Sequence, residues 1–242
     1  MVTKRSPARP LQRVGRVVRY GTRTGRLPAL VLAVGFSVLA GGFLTAKTYT
    51  VRTVEVQGAQ LATANDVVQV SGALGQSLFW LRPDDIARRV ARHPAVAAAS
   101  VHPVFPDRVI ISLQERVPVL VWIAGGQPYL VDSQGWVIAQ GDQAMLPHVT
   151  QADGTPPQLG SKLPASSVQA ARTIVQRTQG QQVSLIYSAK LGLTLTYPDG
   201  RTVVFGDATR LADQLAVFQA LLARDQGWLR LDLRDPDRPV IW

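Results

Sequence analysis

Twenty consecutive uncharged residues, Leu27 to Ala46, follow a segment that holds eight Arg and Lys residues and no acid. An apolar run of that length makes a helix of roughly 30 Å, about one hydrocarbon core. Basic residues beside a span stay on the cytoplasmic side. Lys4, Arg5, Arg9, Arg13, Arg16, Arg19, Arg23 and Arg26 therefore put the N-terminus inside and everything after Lys47 outside. The run exceeds a signal-peptide core of about 7–15 residues, and Leu44-Thr45-Ala46 is a poor cleavage site, so it reads as an uncleaved anchor. The leading segment supplies eight of the ten net positive charges. A basic excess usually points to nucleic acid. Here it lies beside the apolar run, where each basic residue gains about 1 kcal/mol from anionic lipid. A membrane-tethered nucleic-acid binder is the alternative this leaves open.

The exported part has about 195 residues, enough for one large domain or two small ones with real cores. Cysteine is absent, which excludes disulfides, thiolate chemistry and Cys-based metal sites. Val51 to Val56 alternates and is rich in β-branched residues, so it predicts a strand ending at Gly58. Thr63 to Val70 predicts a helix, with Thr63 as N-cap and Asp66 in the place of a capping-box acid. An apolar knot, Phe79-Trp80-Leu81, precedes a second helix from Pro83 to Arg92. Ile86 and Val90 share one face of that helix, and Arg88, Arg89 and Arg92 the other. His93-Pro94 stops it. Two strands follow, Val96 to Val104 and Arg108 to Arg116, around a turn at Pro106-Asp107. Strand, helix, helix, strand, strand buries these stripes as a two-layer sheet with both helices on one face.

A second region starts near Val119. Tyr129 to Val131 and Trp136 to Ile138 flank a turn at Asp132 to Gly135. Gln151 to Pro164 reads as loop. Ser166 or Ser167 is expected to cap a helix reaching Thr178, with Val168, Ala171 and Val175 inward. Val183 to Tyr187 is an expected strand. Leu193 to Tyr197 and Arg201 to Phe205 form a hairpin around Pro198-Asp199-Gly200. Asp207 is then expected to cap a helix from Ala208 to Ala223, with a core stripe of Leu211, Leu215, Phe218 and Leu222. Trp228 to Leu233 is an expected terminal strand.

Catalytic chemistry has no foothold in this pattern. The three histidines, His93, His102 and His148, each stand beside a proline, and no two share a helix face at ligand spacing. No phosphate-cradling glycine loop, nucleophile elbow or Ser-x-x-Lys dyad occurs. Asp84 and Asp85 are explained by the helix dipole, and Asp232, Asp235 and Asp237 by local pairing with Arg234 and Arg238. No catalytic, cofactor-binding or metal-ligating residue is assigned.

A basic tail, one anchor, then strand–helix–helix–strand–strand resembles a POTRA domain beside a membrane. The wording is similar to the FtsQ/DivIB family of bacterial cell-division proteins. The residues that carry the likeness are Val51 to Gly58, His93 to Val96, Phe105-Pro106 with Val109 to Leu113, and Glu115-Arg116-Val117-Pro118-Val119 followed by Trp122. Further along come Val131 to Val137, a D-x-x-G hairpin, then Leu146-Pro147, and finally Leu231-Asp232-Leu233-Arg234 with Pro239-Val240. The likeness implies an α+β fold. A basic cytoplasmic tail (1–26) and a single transmembrane helix (27–46) lead to a POTRA domain (49–117, β-α-α-β-β). A mostly antiparallel β domain with two helices (118–242) completes it.

Its implied function is a non-enzymatic divisome scaffold at the septum. FtsB-like and FtsL-like proteins are the implied partners, and through them the septal peptidoglycan synthases. The implied contact is a partner strand added to the edge of the last strand, through Leu229, Leu231, Leu233, Arg234, Asp235 and Trp242. The residues agree in part: Leu229 to Arg234 alternates strictly, and Trp242 is an aromatic of the kind that anchors interfaces. Asp235 departs from relatives that carry an aromatic directly after D-L-R. The rival readings are a POTRA-containing factor of polypeptide transport or envelope assembly and an anchored cell-wall hydrolase.

Overall fold

The computed structural model describes residues 26–44, 47–178, 182–222 and 227–242. The basic tail up to residue 25 lies outside the described residues. So do Thr45 and Ala46 of the expected span and Ala223 of the expected last helix. Helix α1 covers Arg26–Leu44, 19 residues or about 28 Å. Its side chains from Pro28 to Leu39 are exposed on every face. Among the described residues no helix is long and apolar enough to cross a membrane. Of the expected span 27–46, the described helix covers the residues up to Leu44.

The N-terminal sheet is built from β1 (Thr53–Gln57), β2 (Val96–Val104) and β3 (Arg108–Glu115) in the order β1-β3-β2. β1 runs parallel to β3 and β2 antiparallel to it. Helices α2 (Ala64–Ser71) and α3 (Pro83–Val90) cover one face. Val67, Ile86 and Val90 meet Val101, Val109 and Ile111 there. Thr63 caps α2 as expected, its hydroxyl accepting from the Asp66 N–H at 3.2 Å. α3 ends at Val90, two residues before the expected Arg92. Arg89 does not join Arg88 and Arg92 in solvent. Its guanidinium donates to the Ser71 carbonyl at 2.6 and 3.1 Å, tying α3 to the end of α2.

The C-terminal sheet has nine strands. These are β4 (Pro118–Ala124), β5 (Gln127–Asp132), β6 (Val137–Gln140), β7 (His148–Gln151), β8 (Ser184–Ser188), β9 (Gly192–Thr196), β10 (Thr202–Gly206), β11 (Arg230–Asp232) and β12 (Val240–Ile241). Their order is β12-β11-β10-β9-β8-β7-β4-β5-β6. Most joins are antiparallel, but β4–β7, β7–β8 and β10–β11 are parallel. Helices α4 (Ala165–Arg177) and α5 (Leu211–Leu222) pack on its main core, around Trp122, Ile174, Leu195, Phe205, Phe218 and Leu231.

Two helix starts differ from expectation. Pro164 occupies the N-cap of α4 with no side-chain cap, and Ser167 is buried rather than capping. Asp207 accepts from the N–H and hydroxyl of Thr209, closing a local turn that delays α5 until Leu211. The α5 stripe also shifts: Leu222 is exposed, and Gln214 is buried in its place. The Gln214 amide donates to the carbonyls of Phe205 and Leu233 at 2.8 and 2.9 Å.

Consecutive residues Glu115 and Arg116 join the two sheets. The Glu115 carboxylate accepts from the N–H groups of Gln60, Leu61 and Ala62 at 2.8–3.0 Å. Arg116 pairs with Asp132 at 2.8 Å and stacks on Trp136 at 5.1 Å. Asp132 also accepts from the N–H groups of Gln134 and Trp136, so one carboxylate shapes the hairpin turn and receives Arg116.

Candidate partner-binding edge

Three segments assemble the end of the C-terminal sheet. β10 supplies the ladder, β11 runs parallel to it, and β12 folds back antiparallel on β11. Leu231 and Leu233 point into the core and are fully buried. They carry packing rather than an exposed contact. Leu231→Ala is therefore expected to lower stability by about 3 kcal/mol, read as a drop in melting temperature of the detergent-solubilised chain. Leu229 precedes the strand and is 68% exposed. Strict alternation puts Leu229, Leu231 and Leu233 on one face, but the core closes over the last two and leaves Leu229 at its rim.

Arg234 grips Asp232 through Nε and Nη2 at 2.7–3.0 Å, and its stem lies over Gly206. Burial works to raise the Asp232 pKa, but the Arg234 hydrogen bonds outweigh it and hold the carboxyl below its ordinary value. Beside Arg234 a cleft of about 400 Å³ is lined by Ser166, Lys190 and Asp207. Asp235 sits in the turn between β11 and β12, where its side chain accepts from the Asp237 N–H and its carbonyl from Arg238. Asp237 in turn pairs with Arg210 at 2.7 Å, fastening that turn to the start of α5. Among the described residues no group of three or more His, Cys, Asp or Glu is placed to hold a metal ion.

The sheet ends on β12. Arg230 and Trp242 exchange both backbone hydrogen bonds, at 3.1 and 3.0 Å, and Leu231 faces Ile241. In an antiparallel ladder such pairs alternate, so the N–H and C=O of Ile241 point away from β11. Among the described residues no strand lies beyond them. Trp242 is 59% exposed, and its ring lies 5.5 Å from the Arg230 guanidinium. With Leu229, Val240 and Ile241 it forms an exposed apolar rim along the open edge. The expected terminal strand is thus not the edge itself. β11 is paired on both sides, and β12, which the sequence reading missed, takes that place. Its signal is Val-Ile-Trp directly after Pro239, a run of strand formers bounded by a turn.

Residues 49–116 match the FtsQ-type POTRA domain, and residues 120–234 match the C-terminal domain of the cell division protein FtsQ/DivIB. The chain belongs to the FtsQ/DivIB cell-division family. It is 26% identical to Cell division protein FtsQ of Chloroflexus aurantiacus over 227 residues, 90% of this chain and 82% of that one. It is 28% identical over 240 residues to the protein of the same name from Mycobacteroides abscessus, covering 94% of this chain and 75% of the relative. With the Caulobacter vibrioides protein of that name it shares 28% identity over 228 residues, 91% of this chain and 72% of the other. A role in the division machinery follows from membership of this FtsQ/DivIB family. The α+β architecture, a POTRA domain followed by a mostly stranded C-terminal domain, agrees with expectation.

Proposed function

We propose that this FtsQ/DivIB family member is a non-enzymatic scaffold of the division septum. Segment 27–46 anchors it in the cytoplasmic membrane with the N-terminus inside and both folded domains outside. It links FtsB-like and FtsL-like membrane proteins, and through them the septal peptidoglycan synthases, by accepting a partner strand on β12. The outward-facing backbone of Ile241, framed by exposed Leu229, Val240 and Trp242, carries this reading. An open edge supplies backbone donors and acceptors, while apolar side chains on alternate positions set register. Support for the anchor comes from α1: from Pro28 to Leu39 its uncharged side chains are exposed on every face, the pattern of a helix whose solvent is apolar.

Ile241→Pro removes one outward donor and leaves both Arg230–Trp242 bonds in place. It is expected to weaken co-purification of an FtsB-like partner by about tenfold or more, while Ile241→Val keeps it. Equal recovery with both variants would refute strand addition at this edge. A fluorescent fusion should gather at mid-cell, and its loss should leave filamentous cells. A fusion spread evenly over the envelope would count against the septal role.

A further inference from the structure

The apolar knot Phe79-Trp80-Leu81 has no part in the edge just described. Leu78 and the knot's own Leu81 are buried, so the loop between α2 and α3 is held firmly from below. Trp80, between them, is turned out and 70% exposed. Four other rings meet beside it. Phe43 from the last turn of α1 lies 4.8 Å from Tyr49 and 5.4 Å from Phe79. Tyr49 lies 4.9 Å from Phe79. Phe105, from the turn between β2 and β3, lies 5.6 Å from Phe79 and 6.2 Å from Tyr49. Phe105 is itself 56% exposed. Two loops distant in sequence therefore converge on the C-terminal end of α1. Arg82, two residues beyond Trp80, has a side chain 84% exposed and, among the described residues, one ion pair, to Asp85, long at 3.9 Å.

Large exposed aromatics on a rigid loop are costly in water and favourable at the headgroup level, where a ring is half solvated. The depth is set by Phe43. Because that ring belongs to α1 and touches the loop rings, the loops stand at the level where the helix leaves the bilayer. We infer that the α2–α3 loop and the β2–β3 turn of the POTRA domain rest in the headgroup layer of the phospholipid membrane. Trp80 and Phe105 are the inserted side chains, and Arg82 faces lipid phosphates. This rests on the anchor reading of segment 27–46 and adds to it a second, non-covalent hold that fixes the tilt of the domain.

The chain has no cysteine, so single-cysteine variants can be labelled cleanly. Arg82→Cys and Val104→Cys place a nitroxide beside each loop, and Gln219→Cys places one on exposed α5. The full chain is reconstituted into pure phosphatidylglycerol–phosphatidylethanolamine vesicles. Collision with oxygen and with a water-soluble nickel chelate is then read by electron paramagnetic resonance. Labels at 82 and 104 are expected to shift toward oxygen and away from nickel relative to 219. Trp80→Ser combined with Phe105→Ser is expected to abolish the shift while the chain still floats with the vesicles, and Trp80→Ser alone to reduce it. Both side chains are mostly exposed, and a circular dichroism melt confirms that the variants fold. Labels at 82 and 104 that match 219 in a chain that floats overturn the inference and leave the anchor standing. A chain that does not float overturns the anchor, and the inference with it. Shielding seen in native membranes but not in pure lipid overturns the inference in favour of a neighbouring membrane protein.

Discussion

Gly192→Ala is expected to destabilise the C-terminal sheet by about 4 kcal/mol, the sum of roughly 1 for a left-handed residue with a side chain and up to about 3 for forced displacement of packed backbone. Gly192 opens β9 at φ +68° and faces Gly206, which closes β10 at φ +72°. A methyl group on Gly192 would strike the carbonyl carbon and oxygen of Gly206, and neither is the end of a flexible side chain. Relief requires β9 and β10 to part. β10 is the strand on which β11 and then β12 are laid, so the damage reaches the open edge of the sheet. Gly200 provides the comparison. It has φ +89° in the neighbouring hairpin turn and open space where a Cβ would go. Gly200→Ala should cost only the conformational part, about 1 kcal/mol. Chemical denaturation of both variants in detergent separates the two contributions, and equal losses would refute the collision.

Glu115→Ala is expected to cost about 4 kcal/mol, because three backbone N–H groups lose a charged acceptor in a half-buried setting. The carboxylate receives Gln60, Leu61 and Ala62, the residues that lead into Thr63 and α2. Leu61 also packs on both cores, so its release loosens the joint between the sheets. Partial burial works to raise the Glu115 pKa. The N–H donors of Ala62, Leu61 and Gln60, with His93 beyond them, more than offset it and bring the carboxyl below its ordinary 4.5. A depressed carboxylate stabilises the fold fully above the unfolded value, and that stabilisation drains away as pH falls through the lower folded value. Stability should thus decline below about pH 4.5, and Glu115→Gln should flatten this acid limb while costing less than alanine at neutral pH. Unfolding midpoints collected between pH 3 and 7 test this; an unchanged acid limb in Glu115→Gln would assign the titration elsewhere, Asp232 being the nearest rival in kind.

The parts of the fold that were readable share one property: local patterning determines them. The α2 cap at Thr63, the Asp132–Gly135 turn and the Pro198–Gly200 hairpin each depend on neighbours in sequence. What escaped is set at long range. β4 and β7 pair in parallel, a join made across intervening segments rather than by a turn, so no short motif announces it. Gln214 breaks the apolar stripe of α5 because two carbonyls distant in sequence, at Phe205 in β10 and at Leu233 just past β11, need its amide. Arg89 carries the charge of a surface residue and spends it on a carbonyl one helix away.

The candidate site shows the same division. The alternation of Leu229 to Arg234 marks a strand and Asp235 to Pro239 has turn chemistry, but nothing local says which strand the returning chain pairs with. That return is closed through Arg210, just before α5, and by Trp242 meeting Arg230. The edge therefore moves from β11 to two residues that no periodicity could resolve.

β12 is held by only two residue pairs and the Trp242 rung. So short a seam opens locally at small free-energy cost, long before global unfolding. In the unbound chain the Val240 and Trp242 amides should lose their protons to deuterium quickly, while Leu233 behind them stays slow. On the proposed strand addition, a visiting strand pairs only with the closed form, so its measured affinity is diluted by the fraction of time the flap is open. Whatever straightens that flap beforehand should sharpen recognition with no new contact to the visitor.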